Sequence, residues 1–233
     1  MIYAIGDVHG EADALEEMLA LLPVTDADTV LFLGDLINRR GRDPFRCVEL
    51  VINFEKCRKI YLMGNHEEAM LMLLDAGDFS AMNGMDGQNT LDSYERAGYP
   101  IRPGDPSSVP ESHGRFYYQG YPWTLPFYIT DTHIFVHAGW DLSKPVQVQP
   151  QERWRWGGVR GQEASIWPQT VVRGHTPIPK VRHNAEKRAI GVDTGCGMGG
   201  LLSAIAIPTE QTFTVKPASY RPGWYGTLRA RSR

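Results

Sequence analysis

The chain has 233 residues, 42% of them hydrophobic, and a formal net charge of −3, enough apolar material for one large domain with its own core. So small a charge, carried in short runs, gives no footprint for nucleic acid or an anionic membrane, and no apolar run approaches the roughly 18 residues of a membrane span. Cys47, Cys57 and Cys196 are odd in number and lack a CxxC spacing. They read as reduced thiols, and with Ile2 entering a strand in place of a leader, a cytoplasmic setting is expected.

In chain order, Ile2 to Ile5 reads as a buried strand that runs into Gly6-Asp7-Val8-His9-Gly10. Leu15, Met18, Leu19 and Leu22 then recur at helical spacing up to Pro23, and a helix begun here turns its positive N-terminus toward any anion held beside Asp7 and His9. Thr29 to Leu33 is a second strand, ending in Gly34-Asp35, followed by a helix over residues 44–54. Lys59 to Met63 is a third, ending in Gly64-Asn65-His66-Glu67 at the head of a helix that stops near Gly77. This alternation predicts an α/β fold with a mainly parallel first sheet.

Residues 77–120 break the rhythm: a Gly-rich polar stretch over 82–90, a helix over 91–97 and a Pro/Ser/Gly loop over 100–114. An irregular insertion of that length is a functional element more often than filler, and it is expected to act as a substrate-selecting cap on a single domain spanning 1–233. Tyr117, Tyr118, Tyr121 and Trp123 read as packing residues beside an antiparallel hairpin, Phe127 to Ile129 with His133 to Val136. Two further strand ends carry imidazoles, His137 before Ala138-Gly139 and His175 after Arg173-Gly174. Strands over 189–192, 201–207 and 211–215 close the chain, with Arg229, Arg231 and Arg233 expected in a solvated tail.

Five strand ends thus present Asp7, His9, Asp35, Asn65, His137 and His175. Carboxylate and amide oxygens suit hard divalent cations, imidazole suits first-row transition metals, and one carboxylate can bridge two ions about 3.5–4 Å apart, the place expected for Asp35. With no cysteine ligand the set does not describe a structural zinc site.

The blocks, in order, are GDxHG, a variant of GDxxDRG, GNHE, HAG and GHT, and on them the chain resembles the metallophosphoesterases of the phosphoprotein phosphatase family, particularly small bacterial and phage serine/threonine phosphatases. The resemblance implies a two-sheet β sandwich flanked by helices, and two divalent ions, manganese favoured with iron or zinc as alternatives. It implies Asp7, His9 and Asp35 around the first ion and Asp35, Asn65, His137 and His175 around the second, with Glu67 off both. Arg39, Arg155 and Asn65 are then expected at the phosphate, Arg160 in reserve for Arg155, and His66 as general acid to the leaving oxygen, with an ion-activated water as the nucleophile. Position 177 is Pro, so the GHxH of other metallophosphoesterase branches is missing. The activity implied is hydrolysis of phosphoserine or phosphothreonine in a protein or peptide, with a nucleotide polyphosphate, as in the symmetrical dinucleoside tetraphosphatases, as the alternative. Gly34-Asp35-Leu36-Ile37-Asn38-Arg39-Arg40 departs from the family block: its second aspartate is Asn38. An amide there orients His66 without adding charge, which lowers the demand the site can meet for a strong acid. Nothing in the sequence speaks to oligomeric state.

Overall fold

The computed structural model describes residues 1–231, with side chains through Thr227, so the solvated tail expected of Arg229, Arg231 and Arg233 falls outside the described side chains. The first part alternates strictly: β1 (Ile2–Ile5), α1 (Ala12–Leu21), β2 (Thr29–Phe32), α2 (Pro44–Ile52), β3 (Arg58–Leu62) and α3 (Asn65–Ala76). α4 (Ser80–Asn83), α5 (Gln88–Arg96) and α6 (Glu111–Tyr117) follow, then β4 (Thr124–Leu125), β5 (Tyr128–Ile129), β6 (His133–Val136), α7 (Gln151–Trp156) and β7 (Thr170–Arg173). β8 (Arg182–Asn184), β9 (Ala189–Gly191), β10 (Leu202–Ile207), β11 (Gln211–Val215) and α8 (Trp224–Arg231) complete it. No helix among the described residues is long and apolar enough to cross a membrane.

Two sheets stack face to face, in the orders β11-β10-β1-β2-β3-β4 and β5-β6-β7-β9-β8. The first is parallel from β1 to β4 and antiparallel where β10 and β11 join it, so the expected parallel sheet makes up only that portion of a mixed one. In the second, β6, β7 and β9 run parallel between antiparallel β5 and β8. The strand period of two sorts the apolar side chains. Tyr3, Ile5, Val30, Phe32 and Tyr61 turn to the helices, whereas Ala4, Leu31, Leu33, Ile60 and Leu62 meet Phe135, Val172 and Ile190 between the sheets. α2 starts on a good local signal: Asp43 accepts from the Arg46 amide at 3.2 Å and Pro44 occupies the first turn.

The insertion departs from expectation. It carries α4 and the start of α6 where loops were predicted, the helix expected over 91–97 begins three residues earlier as α5, and Met82, Met85, Tyr94, Phe116 and Tyr117 join the core of α1 to α3. His113 pins it down, with Nε2 2.6 Å from Glu49 Oε1 on α2 and Nδ1 2.7 Å from the Tyr94 hydroxyl, which lies 2.9 Å from that of Tyr117. Gly84 and Gly87 mask these helices in the sequence because glycine lowers local propensity, while tertiary packing of the buried face decides the outcome.

Candidate metal centre

All the predicted ligand strands deliver their side chains at one end, because parallel strands share an orientation and their carboxyl ends open into one crevice. β1 hands on to Asp7, β2 to Asp35, β3 to Asn65, β6 to His137 and β7 to His175. Glycine makes the approach possible at two of these turns. A Cβ on Gly64 would stand 2.0 Å from Asp35 Oδ1, and one on Gly174 would stand 2.1 Å from Asp7 Oδ1. His9, Asp35, Asn38, Arg39 and His175 all hold φ between 51° and 67°, a left-handed conformation that costs a non-glycine residue energy and gathers where the surrounding structure imposes it.

Backbone partners fix His9 and His137. His9 Nδ1 donates to the Ile37 carbonyl at 3.0 Å and His137 Nδ1 to that of Leu33 at 2.6 Å, leaving both Nε2 atoms for the cleft. His137 Nε2 lies 3.0 Å from Asn65 Oδ1 and 3.4 Å from Asp35 Oδ2, and His175 Nδ1 is 2.9 Å from the same amide oxygen. His9 Nε2 is 3.9 Å from carboxylate oxygens of both Asp7 and Asp35. Ligand bonds of about 2 Å at tetrahedral to octahedral angles set neighbouring donors about 3–3.4 Å apart. The donors here match or exceed that by a few tenths of an ångström, in two groups that share Asp35: His9 and Asp35 with Asp7 3.9 Å from His9 Nε2 and His66 alongside, and Asp35, His137 and His175. The residues therefore fit two divalent ions. Glu67 does stay apart, accepting from the amides of Gly64, Asp35 and Leu36 at 2.8–3.0 Å and so bracing two ligand turns together.

Electrostatics agree with a site built for cations. Burial, then the neighbouring charge of Asp193, pushes the Asp7 carboxyl well above its usual range, and burial pushes Asp193 up to about 6. Burial would likewise raise Asp35, but His137, His66 and His9 around it hold it well below the usual range. Burial brings His9 and His175 down to about 4. It would lower His137 also, yet the Asp35 and Asp7 charges push that imidazole up to about 10, so without an ion a proton stands in for one.

His66 lies 3.7 Å from Asp35 Oδ2 through Nε2, close enough to join the ligand group. Its other nitrogen shows what it holds. The Thr90 hydroxyl accepts from the Asn38 amide N–H at 2.9 Å and donates to Asn38 Oδ1 at 2.6 Å, so Asn38 Nδ2 faces His66 Nδ1 at 3.1 Å and donates to it. The neutral ring then carries its proton on Nε2, inside the cleft. Arg39 also lines this cleft of about 220 Å³, with Nε buried and without a hydrogen-bond partner. Arg155 does not line it: its guanidinium is engaged by Glu68, at 2.8 Å through Nε. Arg160 pairs with Asp141 at 3.0 Å. Of residues 77–120 none lines the cleft; Met85 instead accepts from the Arg39 amide at 3.1 Å, and Thr90 and Asn89 hold the same loop. Asp193 was the residue left without a role. It follows β9 as the predicted ligands follow their strands, is 2% exposed and lines the cleft, and the Asp-Thr-Gly run after a strand, Asp193-Thr194-Gly195, is the signal for it.

Residues 1–192 match the family model of the calcineurin-like phosphoesterases. Among curated proteins the chain is 26% identical over 247 aligned positions, 91% of each chain, to the asymmetrical bis(5'-nucleosyl)-tetraphosphatase PrpE of Bacillus velezensis. It is 40% identical over 76 positions, 32% of this chain and 27% of the other, to the symmetrical bis(5'-nucleosyl)-tetraphosphatase of Legionella pneumophila strain Lens. Among solved structures it is similar to a candidate diadenosine tetraphosphatase (TM-score 0.68, 22% identity, 93% of each chain). It is similar also to a cold-active protein-tyrosine phosphatase of a psychrophilic Shewanella (TM-score 0.60, 16% identity, 92% of this chain and 80% of that one). Identities this low speak for the shared fold.

Proposed function

Since the chain belongs to the calcineurin-like phosphoesterase family, we propose that it hydrolyses dinucleoside tetraphosphates at a dinuclear centre held by Asp7, His9, Asp35, Asn65, His137 and His175. The observation that carries the choice of substrate is the neutral partner of His66. Asn38 supplies an amide donor where a carboxylate would hold the imidazole protonated, and burial pushes His66 well below its ordinary value. A serine alkoxide needs a proton to leave, whereas a nucleotide leaving from a phosphoanhydride needs little help. The names of the relatives that span the chain point the same way. The reading as a serine/threonine phosphatase yields to this alternative.

Bound divalent ions would neutralise the phosphoryl oxygens and lower the pKa of water toward 7; manganese, iron and zinc all suit this mixture of oxygens and imidazoles. Arg39 binds the equatorial oxygens through its unpartnered guanidinium edge, and charge-assisted donors are strong where burial excludes water. His66, oriented by Asn38, directs Nε2–H at the leaving oxygen. Asn65 and His137 would hold an ion beside Asp35, which keeps positive charge against the phosphate. The test is a parallel assay of manganese-reconstituted protein on diadenosine tetraphosphate and on a phosphoserine peptide. We expect kcat/KM at least about tenfold higher on the dinucleotide, with the products, two ADP or ATP plus AMP, reporting where the chain is cut. Equal or reversed efficiencies would return the site to protein phosphatase chemistry.

A further inference from the structure

The indole of Trp156 meets His175 of the metal centre edge-on, ring centres 6.4 Å apart, and it is 48% exposed. An exposed large aromatic is ordinarily free to turn, and this one is not. Its Nε1 donates to Glu68 Oε2 at 2.5 Å, while Glu68 Oε1 accepts from Arg155 Nε at 2.8 Å. Glu68 lies in the first turn of α3, three residues beyond Asn65, so the ring is fastened to the helix that also supplies a metal-type ligand. Beyond it opens a groove of about 570 Å³ lined by Met72, itself 45% exposed, and by Arg153, whose Nε is buried and unpartnered.

From this arrangement we infer that Trp156 is the platform on which one nucleobase of the substrate stacks, with Glu68 and Arg155 as positioning residues that lock the ring. The inference rests on the nucleotide polyphosphate reading and deepens it. A phosphate beside His175 places its own ribose within reach of the indole, and a rigid ring loses little freedom when a base covers it. A π-face accepts any base, so the platform recognises the nucleoside as a class and leaves the choice of base open.

Binding of ADP and of inorganic diphosphate to the manganese-loaded protein, by equilibrium dialysis, separates base recognition from phosphate recognition. Wild type should hold ADP more tightly than diphosphate. Trp156→Ala should weaken ADP roughly five- to hundredfold, the range spanned by stacking one base on an aromatic ring, and leave diphosphate unchanged. Trp156→Phe, which keeps a π-face, should retain most of the preference, and Glu68→Gln should lose part of it without touching diphosphate. Equal affinity of wild type for the two ligands, or equal weakening of both by Trp156→Ala, would overturn the platform. Hydrolysis of diadenosine tetraphosphate is scored separately. A protein that prefers ADP through Trp156 yet leaves the dinucleotide intact keeps the platform and loses the proposed activity.

Discussion

At the scale of single residues, Asn38 and Asp35 hold the clearest consequences. Asn38→Asp keeps the Thr90 hydroxyl as donor to Oδ1 but sets a carboxylate against His66 Nδ1, which raises the imidazole pKa and fills its acid form. Turnover of a phosphoserine peptide should then rise relative to that of p-nitrophenyl phosphate by about tenfold or more, within the range general acids supply, and the alkaline limb of its pH profile should move upward. Equal changes on both substrates would show that Asn38 does not tune the acid. Asp35 belongs to both ligand groups, so Asp35→Asn should cost at least about a hundredfold in kcat and remove bound metal together. Full activity with less than half the metal would refute the bridge.

At the scale of elements, residues 77–120 act on the site from behind. They leave the cleft open and hold its most strained loop through Thr90, Asn89 and Met85. Thr90→Val keeps the shape and removes the hydroxyl, leaving the buried Asn38 amide and Oδ1 without their partner at a cost of about 1–3 kcal/mol. Both Tm and kcat should fall, while a change in Tm alone would mean that the loop keeps its conformation unaided. The anchor at His113 carries its own pH signature. Burial holds its pKa below the ordinary value, with Glu49 opposing. Below about pH 6.5 the unfolded chain therefore takes up a proton that the folded chain resists, and stability falls as pH falls. Thermal melts of wild type and His113→Gln should show a lower Tm at neutral pH in the variant but a flatter decline into acid.

At the scale of the molecule, the two sheets exist with their carboxyl edges aligned around the buried carboxylates of Asp7, Asp35 and Asp193, which repel one another without cations. Chelation should therefore destabilise the whole domain. Manganese at about a hundred times its Kd stabilises by about 2.7 kcal/mol for each site, which for a domain of this size corresponds to a Tm rise of roughly 5–10 °C for each ion bound. Because His137, pushed up to about 10, must release its proton to an ion, the gain should shrink as pH falls and manganese uptake should acidify a weakly buffered solution. A Tm indifferent to both EDTA and manganese would exclude the dinuclear centre.

What the sequence determined by itself was local: a glycine beside a ligand-type side chain at the end of each short apolar run, and the order of those runs. Short runs of β-branched and apolar residues specify buried strands by composition alone, so Asp7, Asp35, Asn65, His137 and His175 could be placed at strand ends. Where a guanidinium or an indole points is set by partners distant in the chain. Arg155 was expected on phosphate, yet Glu68, 87 positions away, takes it, and the same carboxylate turns Trp156 toward His175. β4 and β8, of two and three residues, carry too little pattern to be seen before their neighbours pair with them, and α4 and the start of α6 form because a face of each is buried. Periodicity records which residues seek the interior, and only the closed fold decides which of them meet there.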